Sequence, residues 1–222
     1  SLLKETFMSL WDDTRTDFRW TLPDGFVAQL KPNETVEIEI KPFGQFPIKM
    51  LAKAVTNTTK STALGVSVIH SVDGFVAREL INRCNYKEKP LKDLIVKIDE
   101  FLLLNPDHKP TGYHDFISHA VLFRLDYEDL YEYSYEQLLD MKRKCIQTLD
   151  YKAFPVKPIH DGFGSHPNHS KRMQQVHAQI KSELTASHLL ETILMQISGK
   201  PFNRIIGDLK PEDVLQSKYT LC

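Results

Sequence analysis

Polar and apolar positions change rhythm along the 222-residue chain, and each change marks a different kind of element. Residues 1–22 combine a short run with helical character and an extended segment. Pro23-Asp24-Gly25 reads as a turn that opens a β region. Within it Val36–Ile40 (VEIEI) alternates and Phe46–Val55 (FPIKMLAKAV) alternates or runs apolar, the two joined through Lys41-Pro42-Phe43-Gly44. This pattern predicts a long hairpin over about residues 27–55. After the polar stretch Thr56–Thr62, Gly65–Ile69 (GVSVI) reads as a short apolar strand. It runs into HSVDGFVARELINR, whose apolar positions 72, 75, 76 and 80 have helical spacing.

Residues 87–152 read as helical, with helices around Leu91–Leu104, Tyr113–Leu125 and Ser134–Leu149. Between Leu125 and Met141 stand six acidic residues and no Lys or Arg. Such a face repels phosphates, so this region is not expected to track nucleic acid, and a solvated helical insertion is the simplest reading. In Phe154–Pro167 (FPVKPIHDGFGSHP) a short extended segment ends in His160-Asp161 with Gly162 and Gly164 close behind. The next helix carries Met173, Val176, Ile180 and Leu184 on one face, with Lys171, Arg172 and Lys181 opposite. A second helix, Ser187–Ser198, stops at Gly199 with Pro201 beyond it.

Composition narrows the class. With 41% hydrophobic and 26% charged residues the chain has an ordinary globular make-up, and its length suits one large domain or two small ones. Lys+Arg (28) and Asp+Glu (29) balance, and a pI near 6.7 is far from the value above about 9 typical of free-standing nucleic-acid-binding domains. Cys84, Cys145 and Cys222 are odd in number and form no C-x-x-C pair. Neither a disulfide framework nor a structural zinc site is expected, and a reducing compartment fits. No apolar run approaches the ~20 residues of a membrane span, and the start, SLLKETFMSLWDDTR, lacks a secretory signal. The expectation is a cytoplasmic protein with no membrane attachment. The chain begins with Ser rather than Met, as a processed protein or a part of a longer one does.

Two polar clusters are candidates for chemistry. His160-Asp161 closes a strand beside two glycines, which leaves room for a ligand. The hard oxygen of a single Asp suits Mg²⁺, which keeps several waters and takes one or two protein carboxylates plus substrate phosphates. The competing reading of such a dipeptide is a turn aspartate with a satisfied neighbour. His70-Ser71-Val72-Asp73-Gly74 is the second cluster. There Ser71 is a candidate helix cap and Asp73 a complement to the helix dipole, while His70 would face the same cleft as Asp161. His166 and His169 have metal-compatible spacing but no third ligand, and read as surface residues.

The order of the pieces adds to this. WTLPDGF, FGQF, VIHSVDGFVAREL and PIHDGFGSHP follow one another, and together they resemble the C-terminal part of the single-subunit DNA-dependent RNA polymerases of bacteriophages and mitochondria. The resemblance covers about residues 19–83 and 154–222. PDGF followed by a hairpin containing Gly44-Gln45-Phe46 is similar to the stretch that forms the family's promoter specificity loop. H-S-x-D-G with Arg78 five residues after Asp73 matches the junction of fingers and palm, and H-D-x-F-G (His160–Gly164) the third catalytic palm motif.

The resemblance implies a fold and roles. The fold class is α/β (α+β), a palm-type antiparallel sheet bearing Asp161 with helices packed behind it. Residues 1–69 would be the end of the fingers with the hairpin, 70–86 and 153–222 the palm, and 87–152 a helical insertion. Asp161 would be one of two palm carboxylates that hold Mg²⁺ for nucleotidyl transfer, with His160 near the RNA 3′ end. His70, Asp73 and Arg78 would sit beside it, His70 near the minor-groove edge of the new base pair. Gln45 and Lys49 on the hairpin are candidate DNA contacts. Glu37 and Glu39 on the same hairpin would repel phosphates and accept only from cytosine N4. Gly162, after Asp161, stands where related DNA polymerases carry Glu, which favours RNA synthesis.

The family's first palm Asp and its nucleotide-binding helix belong upstream of Trp20, and neither is in this sequence. The expected partners are therefore a second polymerase chain that completes the site, a DNA template, nascent RNA and nucleoside triphosphates. An accessory protein that opens the promoter is a further candidate. Between Asp73 and Asp161 lie 87 residues, far more than the family's usual connection, which is why 87–152 reads as an insertion. The rival readings are a metal-dependent phosphohydrolase using His70, His160 and Asp161, and a non-catalytic structural subunit of a nucleic-acid enzyme.

Overall fold

Phe18, Trp20 and Leu22 alternate with polar residues, and in the computed structural model this alternation becomes strand β1 (Phe18–Thr21). Phe18 and Trp20 are buried, while Arg19 and Thr21 face solvent. The structure describes residues 2–11, 15, 17–31, 33–40, 48–55, 62–112, 114–159, 162–203 and 209–217. Ahead of β1 lies helix α1 (Leu2–Ser9), and β1 pairs antiparallel with β2 (Val27–Leu30) from Phe18↔Leu30 to Thr21↔Val27. Pro23-Asp24-Gly25 makes the connection. Gly25 has φ +84°, where a side chain would be strained, and Asp24 Oδ1 accepts from the Phe26 N–H at 3.1 Å.

The long hairpin is present as β3 (Asn33–Ile40) and β4 (Ile48–Val55), in register from Asn33↔Val55 to Ile40↔Ile48. Glu37, Ile38, Glu39, Lys49, Met50 and Leu51 on it are exposed. Lys49 pairs with Glu37 at 2.9 Å, and Gln45 lies outside the described residues.

The expected strand at 65–69 is corrected. Thr62–Cys84 is one 23-residue helix, α2, and the expected boundary at 69/70 falls inside it. A short apolar run does not distinguish strand from buried helix, and the packing decides. Leu64, Val68 and Phe75 share one helical side and enter a core with Phe7, Phe18, Trp20, Ile193 and Leu194. Gly65 permits the close approach of α1, because a Cβ there would lie 3.2 Å from the Phe7 ring. Ser71 is correspondingly no cap. It sits within the helix, donating to the Val68 carbonyl at 2.7 Å.

The third region holds α3 (Glu88–Leu104), α4 (His119–Leu122), a 3₁₀-helix (Glu128–Glu132) and α5 (Tyr135–Leu149), so the second expected helix shrinks to about a turn. A Ser134–Gln137 capping box starts α5. This region has its own core, with Leu91, Leu94, Ile98 and Phe101 of α3 meeting Leu138, Met141 and Cys145 of α5. The chain leaves the rest of the fold at Cys84 and returns at Phe154, whose N–H donates to the Cys84 carbonyl at 2.8 Å.

Beyond the return come β5 (Lys157–Ile159), β6 (Gly162–Gly164), α6 (Pro167–Ala186), α7 (Leu189–Ser198) and α8 (Pro211–Gln216). A third core joins Val76, Leu80 and Cys84 of α2 to Phe154, Val156 and Met173, Val176 and Ile180 of α6. Helix α2 thus serves two cores. The chain is α+β, and among the described residues its strands form three separate two-stranded antiparallel ladders rather than one larger sheet. Among those residues no helix is long and apolar enough to cross a membrane.

Candidate functional site

Helix α2 collects the motif residues. His70 and Asp73, three residues apart, lie on one side of it and are exposed; His70 is therefore on a helix, not at a strand end. Asp73 borders an apolar groove of about 220 Å³ walled by Phe7, Val68, Ile69, Val72 and Leu190. Between His70 and Asp73, Ser71 accepts a hydrogen bond from Trp20 Nε1 at 2.9 Å. One turn further along, Arg78 Nε donates to Asp24 Oδ2 at 2.5 Å, and its guanidinium lies 4.3 Å from the centre of the Phe26 ring. Arg78 is thereby a tether between α2 and the Pro23–Gly25 turn, and Arg124 reinforces it by donating to the Asp24 carbonyl at 3.1 Å.

The ladder β5–β6 carries the other motif. Its last rung is Ile159↔Gly162; His160 and Asp161, between them in sequence, lie outside the described residues. Phe163 packs against the core built by Val76 and Leu80 of α2 and faces the His177 ring at 5.7 Å. Among the described residues no three His, Cys, Asp or Glu side chains gather into a metal-binding group. The expected magnesium ligand, Asp161, lies outside the described residues. His166 is exposed, and His169 stacks on Phe154 with rings 4.4 Å apart. A cleft of about 370 Å³ lies between the Leu22–Gly25 turn, residues 114–117 and α7, and includes neither His70 nor Asp73.

Sequence reasoning missed a buried polar cluster on α2. Glu79 is fully buried and accepts from Arg83 Nε (2.8 Å), Ser118 Oγ (2.7 Å), the His119 N–H (3.1 Å) and His119 Nδ1 (3.0 Å). Arg83 also donates twice to Glu183 of α6, at 2.9 and 2.7 Å. Burial opposes the Glu79 charge, but the His119 hydrogen bond and the Arg83 guanidinium outweigh it and hold the carboxyl far below the usual carboxylate range. Glu183 is lowered in the same way, burial being overcome by Arg83.

Burial pushes His119 below its ordinary value, only partly opposed by its bond to Glu79. The neutral ring must keep its proton on Nδ1, because a carboxylate can only accept. Nε2 lies 2.8 Å from the Thr148 hydroxyl oxygen, which itself donates to the Lys144 carbonyl at 2.8 Å. The one signal in the sequence was the Glu79/Arg83 spacing of four within an apolar helix, which equally describes a surface pair. Compared with known protein families and with curated proteins, the chain matches none of them.

Proposed function

We propose that this chain is the C-terminal catalytic-core subunit of a DNA-directed RNA polymerase of the single-subunit type, a nucleotidyltransferase active in transcription only together with a second chain. The observation that carries the proposal is the meeting of motifs far apart in sequence. Trp20 of WTLPDGF bonds Ser71 of HSVDGF, Asp24 of the same turn binds Arg78, and Phe163 of HDGFG packs against the core to which Val76 and Leu80 contribute. Trp20, Asp24, Ser71, Arg78 and Phe163 all belong to the motifs.

On this reading Asp161 is one of two palm carboxylates for Mg²⁺, and the second chain contributes the other together with the nucleotide-binding helix. Bound magnesium supplies charge neutralisation on the triphosphate and activation of the RNA 3′-hydroxyl. His160 orients the RNA 3′ end, and His70 and Asp73 present the exposed edge of α2 toward the new base pair. Arg78 is a positioning residue that fixes the Asp24 turn. The hairpin bearing Gln45 and Lys49 lies against template DNA, with Glu37 and Glu39 limiting what it can read. If the source is viral, the enzyme works in the host cytoplasm.

The test uses the complex purified from its native source and extension of an RNA primer on a template. Asp161→Asn keeps size but removes the charge, and should lower extension at least ~10²–10³-fold with template binding retained. Asp73→Asn should spare most activity. Near-wild-type extension by the Asp161→Asn complex would overturn the catalytic assignment and leave a structural subunit.

A further inference from the structure

The outer face of the helical region carries apolar side chains that, among the described residues, are left exposed. Helices α3 and α5 run antiparallel: Tyr86, before α3, bonds the carbonyl of Tyr151, after α5, while Tyr131, before α5, reaches Asn105, after α3. Midway, Lys142 pairs with Asp99. Val96 and Leu103 lie about one turn to either side of Asp99 and are 64% and 80% exposed. Leu139 and Ile146 flank Lys142 in the same way and are 43% and 45% exposed. The core side chains of both helices, Leu91, Leu94, Ile98 and Phe101 with Leu138, Met141 and Cys145, occupy the opposite sides. The result is an apolar strip on each helix with an ion pair at its centre.

We propose that this face is the interface between two copies of the chain. The case rests on self-complementarity. A half-turn about an axis lying in the face, parallel to the helices and midway between them, carries α3 of one copy over α5 of the other in antiparallel sense. Asp99 then opposes Lys142 of the second copy, and the reverse, while Val96 falls over Ile146 and Leu103 over Leu139. A two-fold interface needs a patch that matches itself in this manner.

Helices of this length, packed about 10 Å apart, offer roughly 25 by 20 Å, or about 500 Å² per copy. The total of about 1,000 Å² sits at the lower limit for a specific interface, so the dimer is weak and concentration-dependent. Lys89 and Asp93 of α3 and Glu136 and Arg143 of α5 are exposed on the same two helices and offer the polar side chains a rim needs. The inference is independent of the polymerase reading.

Sedimentation velocity of the intact chain at about 1 and about 100 µM tests it, with a monomer expected at the lower concentration and a dimer at the higher. Val96→Lys with Leu103→Lys should weaken association at least ~10-fold while circular dichroism and the unfolding midpoint stay unchanged, since both side chains are exposed. Asp99→Lys alone should also weaken it, and adding Lys142→Asp should restore it. A chain that stays monomeric throughout, or a dimer indifferent to these changes, would overturn the proposal.

Discussion

Replacing Glu79 by Gln removes one negative charge from a site with no access to water and leaves the shape of the side chain intact. The carboxylate accepts from Arg83, Ser118 and two nitrogens of His119, so the amide must turn a donor toward at least one donor. Breaking a buried ion pair by removing one partner costs about 3–5 kcal/mol, and here Arg83 keeps its two bonds to Glu183. The expected loss is therefore near the lower limit, about 3 kcal/mol. For a chain of this size 1 kcal/mol moves the melting temperature by roughly 2–4 °C, giving a drop of roughly 6–12 °C. Thermal unfolding followed by circular dichroism measures it. Glu88→Gln is the control, because the Glu88–Lys92 pair is exposed and its loss should leave the midpoint in place. A shift for Glu79→Gln of less than roughly 2 °C would refute the view that this cluster carries stability.

Two further outcomes follow from the same cluster and from the buried thiols. His119 is lowered from 6.5 and Glu79 and Glu183 from 4.5, so in each pH range the unfolded chain binds more protons than the folded one. Stability should decline as the pH falls through about 6.5 and decline more steeply below about 4.5; a urea midpoint that stays level from about pH 7 to about pH 4 would contradict this. Burial pushes the Cys84 and Cys145 thiols up to about 12, so both should resist thiol reagents at about pH 8 until urea unfolds the chain. Site-resolved mass spectrometry of the labelled protein would reveal rapid native modification of either one.

The elements that could be read from the sequence are those whose signal is local. Pro23-Asp24-Gly25 names its own turn, Val36–Ile40 alternates, and Leu91, Leu94, Ile98 and Phe101 repeat at helical spacing. The start of α2 could not be read this way, because GVSVI has strand-like side chains and becomes helical through contact with Phe7, Phe18 and Trp20. The burial of Glu79 was equally hidden, since the groups that satisfy it, Ser118 and His119, come some forty residues later. The motif residues were recognisable as a pattern, but their mutual contacts, Trp20 to Ser71 and Asp24 to Arg78, are long-range facts that no window of sequence contains.

The hydrogen bond between Phe154 and Cys84 has a topological meaning. The two ends of the 87–152 region sit side by side, so to the remainder of the fold this region is one loop of variable length. Doubling such a loop costs only about 0.6 kcal/mol in closure entropy, which makes the site tolerant of very different contents. What resists exchange is the Glu79 carboxylate, which expects a serine hydroxyl and a histidine from the inserted part. Any replacement cassette, however well it folds alone, must bring hydrogen-bond donors to that spot or leave a charge stranded in the interior. The region is thus interchangeable by connectivity but tied to the fold by that buried carboxylate, together with the Arg124–Asp24 and Asp115–His188 contacts.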